Sequence, residues 1–136
     1  MSEGIMTGIV VIAHGNLARE LVKVAAFILE DSEGIFPLDI DPSESPERIR
    51  DRIKETLSRA DRGQGVLILT DLFGGTPSNF GLIFLEKGKV EVVSGVNLPM
   101  LIKAFQHREL PPAELAALVT EAGKKAIVKS SALLED

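Results

Sequence analysis

Cysteine is absent from this chain of 136 residues. That excludes a disulfide framework and any thiolate metal centre, and it fits a reducing cytoplasm as the natural compartment. Long apolar runs are missing too; the longest fall far short of the ~20 residues a membrane span needs, so no direct membrane insertion is expected. A basic excess is lacking. Fifteen Lys and Arg stand against twenty Asp and Glu, a net charge of −5, which argues against nucleic acid as the main partner. Met1 to Thr7 carry no basic stretch followed by an apolar one, so no signal peptide is read. There is no G-x-x-x-x-G-K-[ST] loop, no G-x-G-x-x-G opening a helix after a strand and no G-x-S-x-G elbow. P-loop, dinucleotide and nucleophile-elbow chemistry are therefore not signalled.

What is present points to one domain spanning 1–136, with 45% hydrophobic and 26% charged residues, a globular balance with length for a real core. The pattern alternates strand and helix. Gly8–Ala13 and Gly65–Thr70 are almost wholly apolar runs of strand length, as expected for strands buried on both faces. Ile35–Ile40 is a weaker strand whose Pro37 suggests an edge, and Val90–Ser94 is a fourth. Leu17, Leu21, Val24, Ala25 and Ile28 recur at helical spacing, with Arg19, Glu20 and Lys23 on the other side. Ser45-Pro46, Thr76-Pro77, Asn97-Leu98-Pro99 and Pro111-Pro112 read as helix starts; Gly123 is placed to end the last helix, and Ala126–Lys129 reads as a short final strand. The expected fold is a doubly wound, mostly parallel α/β sheet of order 2-1-3-4 with helices on both faces.

In such a sheet the first and third strands meet at the switch point, and ligands bind outside their carboxyl ends. His14, one of only two histidines, follows the first strand, and Asp71 follows the third. Both residues therefore fall in one crevice. A carboxylate accepting Nδ1–H fixes the imidazole tautomer and leaves Nε2 free to act as a nucleophile. Gly74 and Gly75 let main chain approach a ligand, and Thr76 and Ser78 add hydroxyls at a helix start, so the group forms an anion nest. His107 reads as a helix end and Asp39 and Asp41 as loop residues, leaving no metal site. Seven acidic residues between Glu30 and Glu47, with no Lys or Arg among them, read as a solvated edge. An aspartate-phosphorylated receiver would need an acidic cluster where this chain has Ala13-His14-Gly15.

The chain resembles the IIA domain of the mannose-family sugar phosphotransferase system from Ile9 to about Lys129. The likeness rests on Ala13-His14-Gly15-Asn16-Leu17-Ala18, on Asp71-Leu72-Phe73-Gly74-Gly75-Thr76-Pro77-Ser78-Asn79, and on Ser94-Gly95-Val96-Asn97-Leu98-Pro99-Met100. It implies a phosphocarrier whose His14 takes a phosphoryl group from the histidine phosphocarrier protein and hands it to a histidine of a IIB domain, here on a separate chain. Asp71 matches the orienting carboxylate, and Gly75–Thr76 the phosphate-binding amides. No cofactor is implied. The resemblance further implies a cytoplasmic homodimer that exchanges the C-terminal strand Ala126–Lys129 and meets the membrane through a permease complex. The alternative is a stand-alone phosphorylated regulatory module that delivers nothing to sugar.

Overall fold

The computed structural model describes residues 4–134; Met1 to Glu3, the start of the segment read for a leader, lie outside it, as do the last two residues. Four strands, β1 (Gly8–His14), β2 (Ile35–Ile40), β3 (Val66–Thr70) and β4 (Val90–Ser94), form one parallel sheet in the order β2-β1-β3-β4. This is the expected order. Pro37 lies on β2, an edge strand, where its missing N–H costs no ladder bond.

The strands read as unbroken apolar runs because both faces are covered. Ile9, Val11, Ala13, Leu67 and Leu69 pack with α1 (Leu17–Leu29), α4 (Leu98–Gln106) and α5 (Pro112–Lys125). Val10, Ile12, Val66 and Ile68 pack with α2 (Pro46–Ala60) and with Phe80 and Phe84 of α3 (Thr76–Ile83) or its end. Ile9, Ile12, Leu67, Ile68 and Leu69 are fully buried, each contributing about 1.5–3 kcal/mol over an exposed position. Capping fixes two helix starts as expected: Ser45 accepts from the Arg48 amide and Asn97 from the Met100 amide.

Four local expectations are corrected. The buried face of α1 is Ala18, Val22 and Ala25, with Leu21 and Leu29 packed partly against the same core. Leu17, Val24 and Ile28 are exposed instead, and Phe27 is 84% exposed. Ala18 and Ala25 carry no bulk beyond Cβ, so that side of the helix can approach the sheet most closely. In α3, Gly75 is the cap and Thr76 the first helical residue. Gly123 does not end α5; the helix runs on to Lys125, and a Cβ at Gly123 would stand 2.5 Å from Met100 Cγ. The glycine lets α5 lie against α4. Ala126–Lys129 form no strand within the described chain; Ile127 and Val128 are exposed ahead of a 3₁₀ turn at Ser130–Leu134. A strand exists only through a neighbour's hydrogen bonds, and here this segment has none.

Candidate functional site

His14 is the last residue of β1 and Asp71 the first after β3. Their strands are adjacent, so the two residues meet at the carboxyl end of the sheet. The ring Nδ1 lies 2.7 Å from Asp71 Oδ2, and the His14 main-chain amide donates to the same oxygen at 2.9 Å. The Leu72 amide donates to Oδ1 at 2.9 Å. The Asp71 side chain is 9% exposed. Burial pushes its pKa up, but the His14 amide, the His14 ring and the Leu72 amide outweigh burial and hold the carboxyl below its usual range. An ionised carboxylate only accepts, so the shared hydrogen sits on Nδ1 and the lone pair of the neutral ring sits on Nε2.

The far edge of the ring meets the start of α3. A Cβ on Gly75 would lie 2.9 Å from His14 Cε1 and 3.5 Å from Nε2. Gly75 has φ −82°, a conformation open to any residue; glycine is required here for close approach. Gly74, by contrast, needs its left-handed φ of +90° to turn the chain into the helix. The amides of Gly75, Thr76 and Ser78 find no acceptor among the described residues. They are the orphan donors of a helix start, the end that favours an anion. The His14 side chain is 43% exposed, so the ring keeps part of its surface open to solvent.

Of the six residues singled out, His14, Asp71 and Gly75 are in contact or near contact, and Thr76 contributes its amide from the helix start. The Ser78 hydroxyl is turned away: the residue is 0% exposed and its oxygen accepts from Ser94 Oγ at 3.3 Å. Only its amide belongs to the nest. No group of three or more potential metal ligands occurs among the described residues. Two features escaped the sequence reading. Leu72 and Phe73 are exposed, Phe73 to 78%, immediately beside Asp71. A cleft of about 740 Å³ adjoins the crevice, lined by Gly15, Asn16, Asp39, Asp41, Arg48 and Arg52 among others. Much of the acidic run is paired from outside it: Glu44 with Arg48 and Arg52, Asp39 with Arg19, and Glu33 with Arg62.

Residues 8–122 match the sequence profile of the EIIA-man family, described as the PTS system fructose IIA component. The chain belongs to this family. This IIA component is 35% identical over 122 residues to the mannose-specific EIIAB component of the phosphotransferase system of Escherichia coli (strain K12), covering 88% of its own length and 38% of that relative's. It thus spans well under half of that protein. It is 30% identical to the sorbose-specific EIIA component of Lacticaseibacillus casei, with 70% of this chain and 69% of that one covered. The crystal structure of the phosphotransferase component EIIA from Streptococcus agalactiae superposes with a TM-score of 0.83 at 26% identity, covering 93% of this IIA component and 99% of that chain. A phosphocarrier role in a sugar phosphotransferase system follows from the family. No helix among the described residues is long and apolar enough to cross a membrane.

Proposed function

We propose that this IIA component carries the phosphoryl group on His14 Nε2, receiving it from the histidine phosphocarrier protein and passing it to a histidine of a IIB domain. The observation that carries the reading is the 2.7 Å Nδ1···Oδ2 contact, with the opposite ring edge beside Gly75 at the start of α3. In the first half-reaction Nε2 attacks phosphorus in line with the donor's nitrogen. The Nε2–P bond forms as the donor's N–P bond breaks, and that electron pair returns to the donor ring. The phosphoryl oxygens meet the amides of Gly75, Thr76 and Ser78, and Asp71 offsets the positive charge that develops on the imidazole. In the second half-reaction the IIB histidine attacks the same phosphorus opposite Nε2; its N–P bond forms as the Nε2–P bond breaks, and that electron pair returns to the His14 ring. The donated group arrives on an imidazole of comparable transfer potential, so positioning and charge stabilisation supply the catalysis.

Both partners on this reading are proteins, and the exposed Leu72 and Phe73 beside the site suit that. The domain takes up 1–136, works in the cytoplasm and reaches the membrane by docking on a permease complex. The unpaired apolar stretch Ala126–Lys129 is the segment exchanged with a second copy in a homodimer. Intact-mass measurement after mixing with phosphoenolpyruvate, enzyme I and the phosphocarrier protein tests the chemistry. An acid-labile gain of one phosphoryl group, lost in His14→Ala, is expected; no gain with active upstream proteins would refute the reading.

A further inference from the structure

Ser94 closes β4 and opens the third sequence motif, Ser94–Met100, yet it takes no part in the chemistry above. Its hydroxyl accepts from Thr70 Oγ1 at 2.7 Å and donates to Ser78 Oγ at 3.3 Å. Three elements converge in this ladder. Thr70 ends β3 and directly precedes Asp71, Ser94 is its register partner on β4, and Ser78 is the third residue of α3. Thr70 and Ser78 are both fully buried, so each hydroxyl depends on a protein partner.

The two links of the ladder do unequal work. The ends of β3 and β4 are already joined by main chain, since the Thr70 carbonyl accepts from the amides of Gly95 and Val96. What Ser94 adds is the tie to α3. That helix is eight residues long, and its large side chains against the sheet, Phe80 and Phe84, lie at its middle and end. One turn after Ser78 on the same face is Gly81, where a Cβ would meet Val92, Ile68 and Thr70 at 3.5–3.7 Å, ordinary side-chain contact that glycine leaves unmade. Ser78 is thus the polar anchor of the first turn, the turn that begins beside the His14 ring with its amides free.

We propose that Ser94 is a positioning residue for phosphoryl transfer: through the Thr70–Ser94–Ser78 ladder it sets the first turn of α3 where its free amides meet a phosphoryl group on His14. The role rests on the phosphocarrier reading of the site. In-line transfer between two imidazoles is sensitive to small displacements of the stabilising donors, and a helix start held only by Pro77 and packing further along can move.

The test compares wild type, Ser94→Ala and Ser94→Thr, which keeps the hydroxyl, by steady-state transfer from the phosphorylated phosphocarrier and by amide hydrogen exchange. Ser94→Ala is expected to lower kcat about tenfold with KM unchanged, a scale set by misplaced stabilising donors. It is also expected to speed exchange of the Asn79–Gly81 amides, with β3 and β4 protection kept, and Ser94→Thr to restore both. Wild-type transfer by Ser94→Ala overturns the proposal, as does loss of protection in β3, β4 and α3 together. Should Ser94→Ala not fold, Ser78→Ala breaks the same tie while leaving Thr70 and Ser94 bonded, and it must show the same pair of effects. A wild-type protein that takes no phosphoryl group would refute the phosphocarrier reading itself, an outcome distinct from equal rates in wild type and variant.

Discussion

Replacing Asp71 with asparagine keeps the shape of the side chain and removes its charge, and three hydrogen bonds register the difference. All three partners are donors: the His14 amide and ring on Oδ2, and the Leu72 amide on Oδ1. Asparagine offers one acceptor and one amino group, so a donor must face a donor at one end. Turning the amino group toward Leu72 loses one bond; turning it toward His14 loses the main-chain bond and keeps the ring only in the other tautomer, which puts the hydrogen on Nε2 and removes its lone pair. Either way two bonds are kept, and they fall from the charged class, about 1.5–3 kcal/mol, to the neutral class, about 0.5–1.5 kcal/mol. During transfer the imidazole gains positive charge with no carboxylate 2.7 Å away. A preorganised electrostatic contact of this kind is worth about 3 kcal/mol, or about a hundredfold in rate. Quenched-flow transfer from the phosphorylated phosphocarrier, read by intact mass, gives the ratio directly. Transfer by Asp71→Asn within threefold of wild type would refute the role assigned to the carboxylate.

The same variant tests the pH dependence. Because the folded-state pKa of Asp71 is held below its usual value of 3.8, its ionisation stabilises the fold above the usual carboxylate range. That contribution is lost as pH falls through the lower folded value. The stability gap between wild type and Asp71→Asn should therefore be full near neutrality and close in acid; a gap constant with pH would contradict it.

His14→Ala should abolish phosphorylation while lowering the melting temperature by no more than a few degrees, since the ring is half exposed; circular dichroism checks the second part. Gly75→Ala brings a Cβ to 2.9 Å from His14 Cε1 and 3.3 Å from Leu72 Cδ1, so transfer should fall about tenfold or more. Its φ accommodates alanine, and its urea midpoint should stay near wild type. Gly123→Ala should do the reverse. A Cβ 2.5 Å from Met100 Cγ overpacks the α4–α5 contact and should cost about 1–3 kcal/mol in urea unfolding, with transfer per folded molecule unchanged.

Strand order and the meeting of His14 with Asp71 were legible because each depends on one strong signal. Four apolar runs separated by helical spacing leave few parallel topologies, and a residue at a strand's carboxyl end has its place fixed by that topology. What sequence left open are choices between near-equal local alternatives. The first helix is apolar on most sides, so Leu17, Leu21, Val24, Ala25 and Ile28 made as good a stripe as Ala18, Val22, Ala25 and Leu29; packing kept Ala25 and part of Leu21 from the first and turned the small residues inward. Gly123 suits a helix end or a close helix contact equally, and only the position of Met100 decides. Ser78 suits a nest or a buried ladder, and Ser94, whose hydroxyl decides between them, is sixteen residues away. Ala126–Lys129 has strand composition but no strand partner among the described residues, and a ladder is a property of pairs.

The shared oxygen of Asp71 has one more consequence, for spectroscopy. Because Oδ2 takes the His14 main-chain amide as well as the ring, and Oδ1 takes that of Leu72, two backbone protons are wired to the charge of a single carboxylate. They form a built-in indicator. Their resonances should move together as acid neutralises Asp71, and again when a phosphoryl group on the neighbouring ring tightens the contact. The charge state of the crevice can then be followed in the intact protein, residue by residue, without a partner or a turnover.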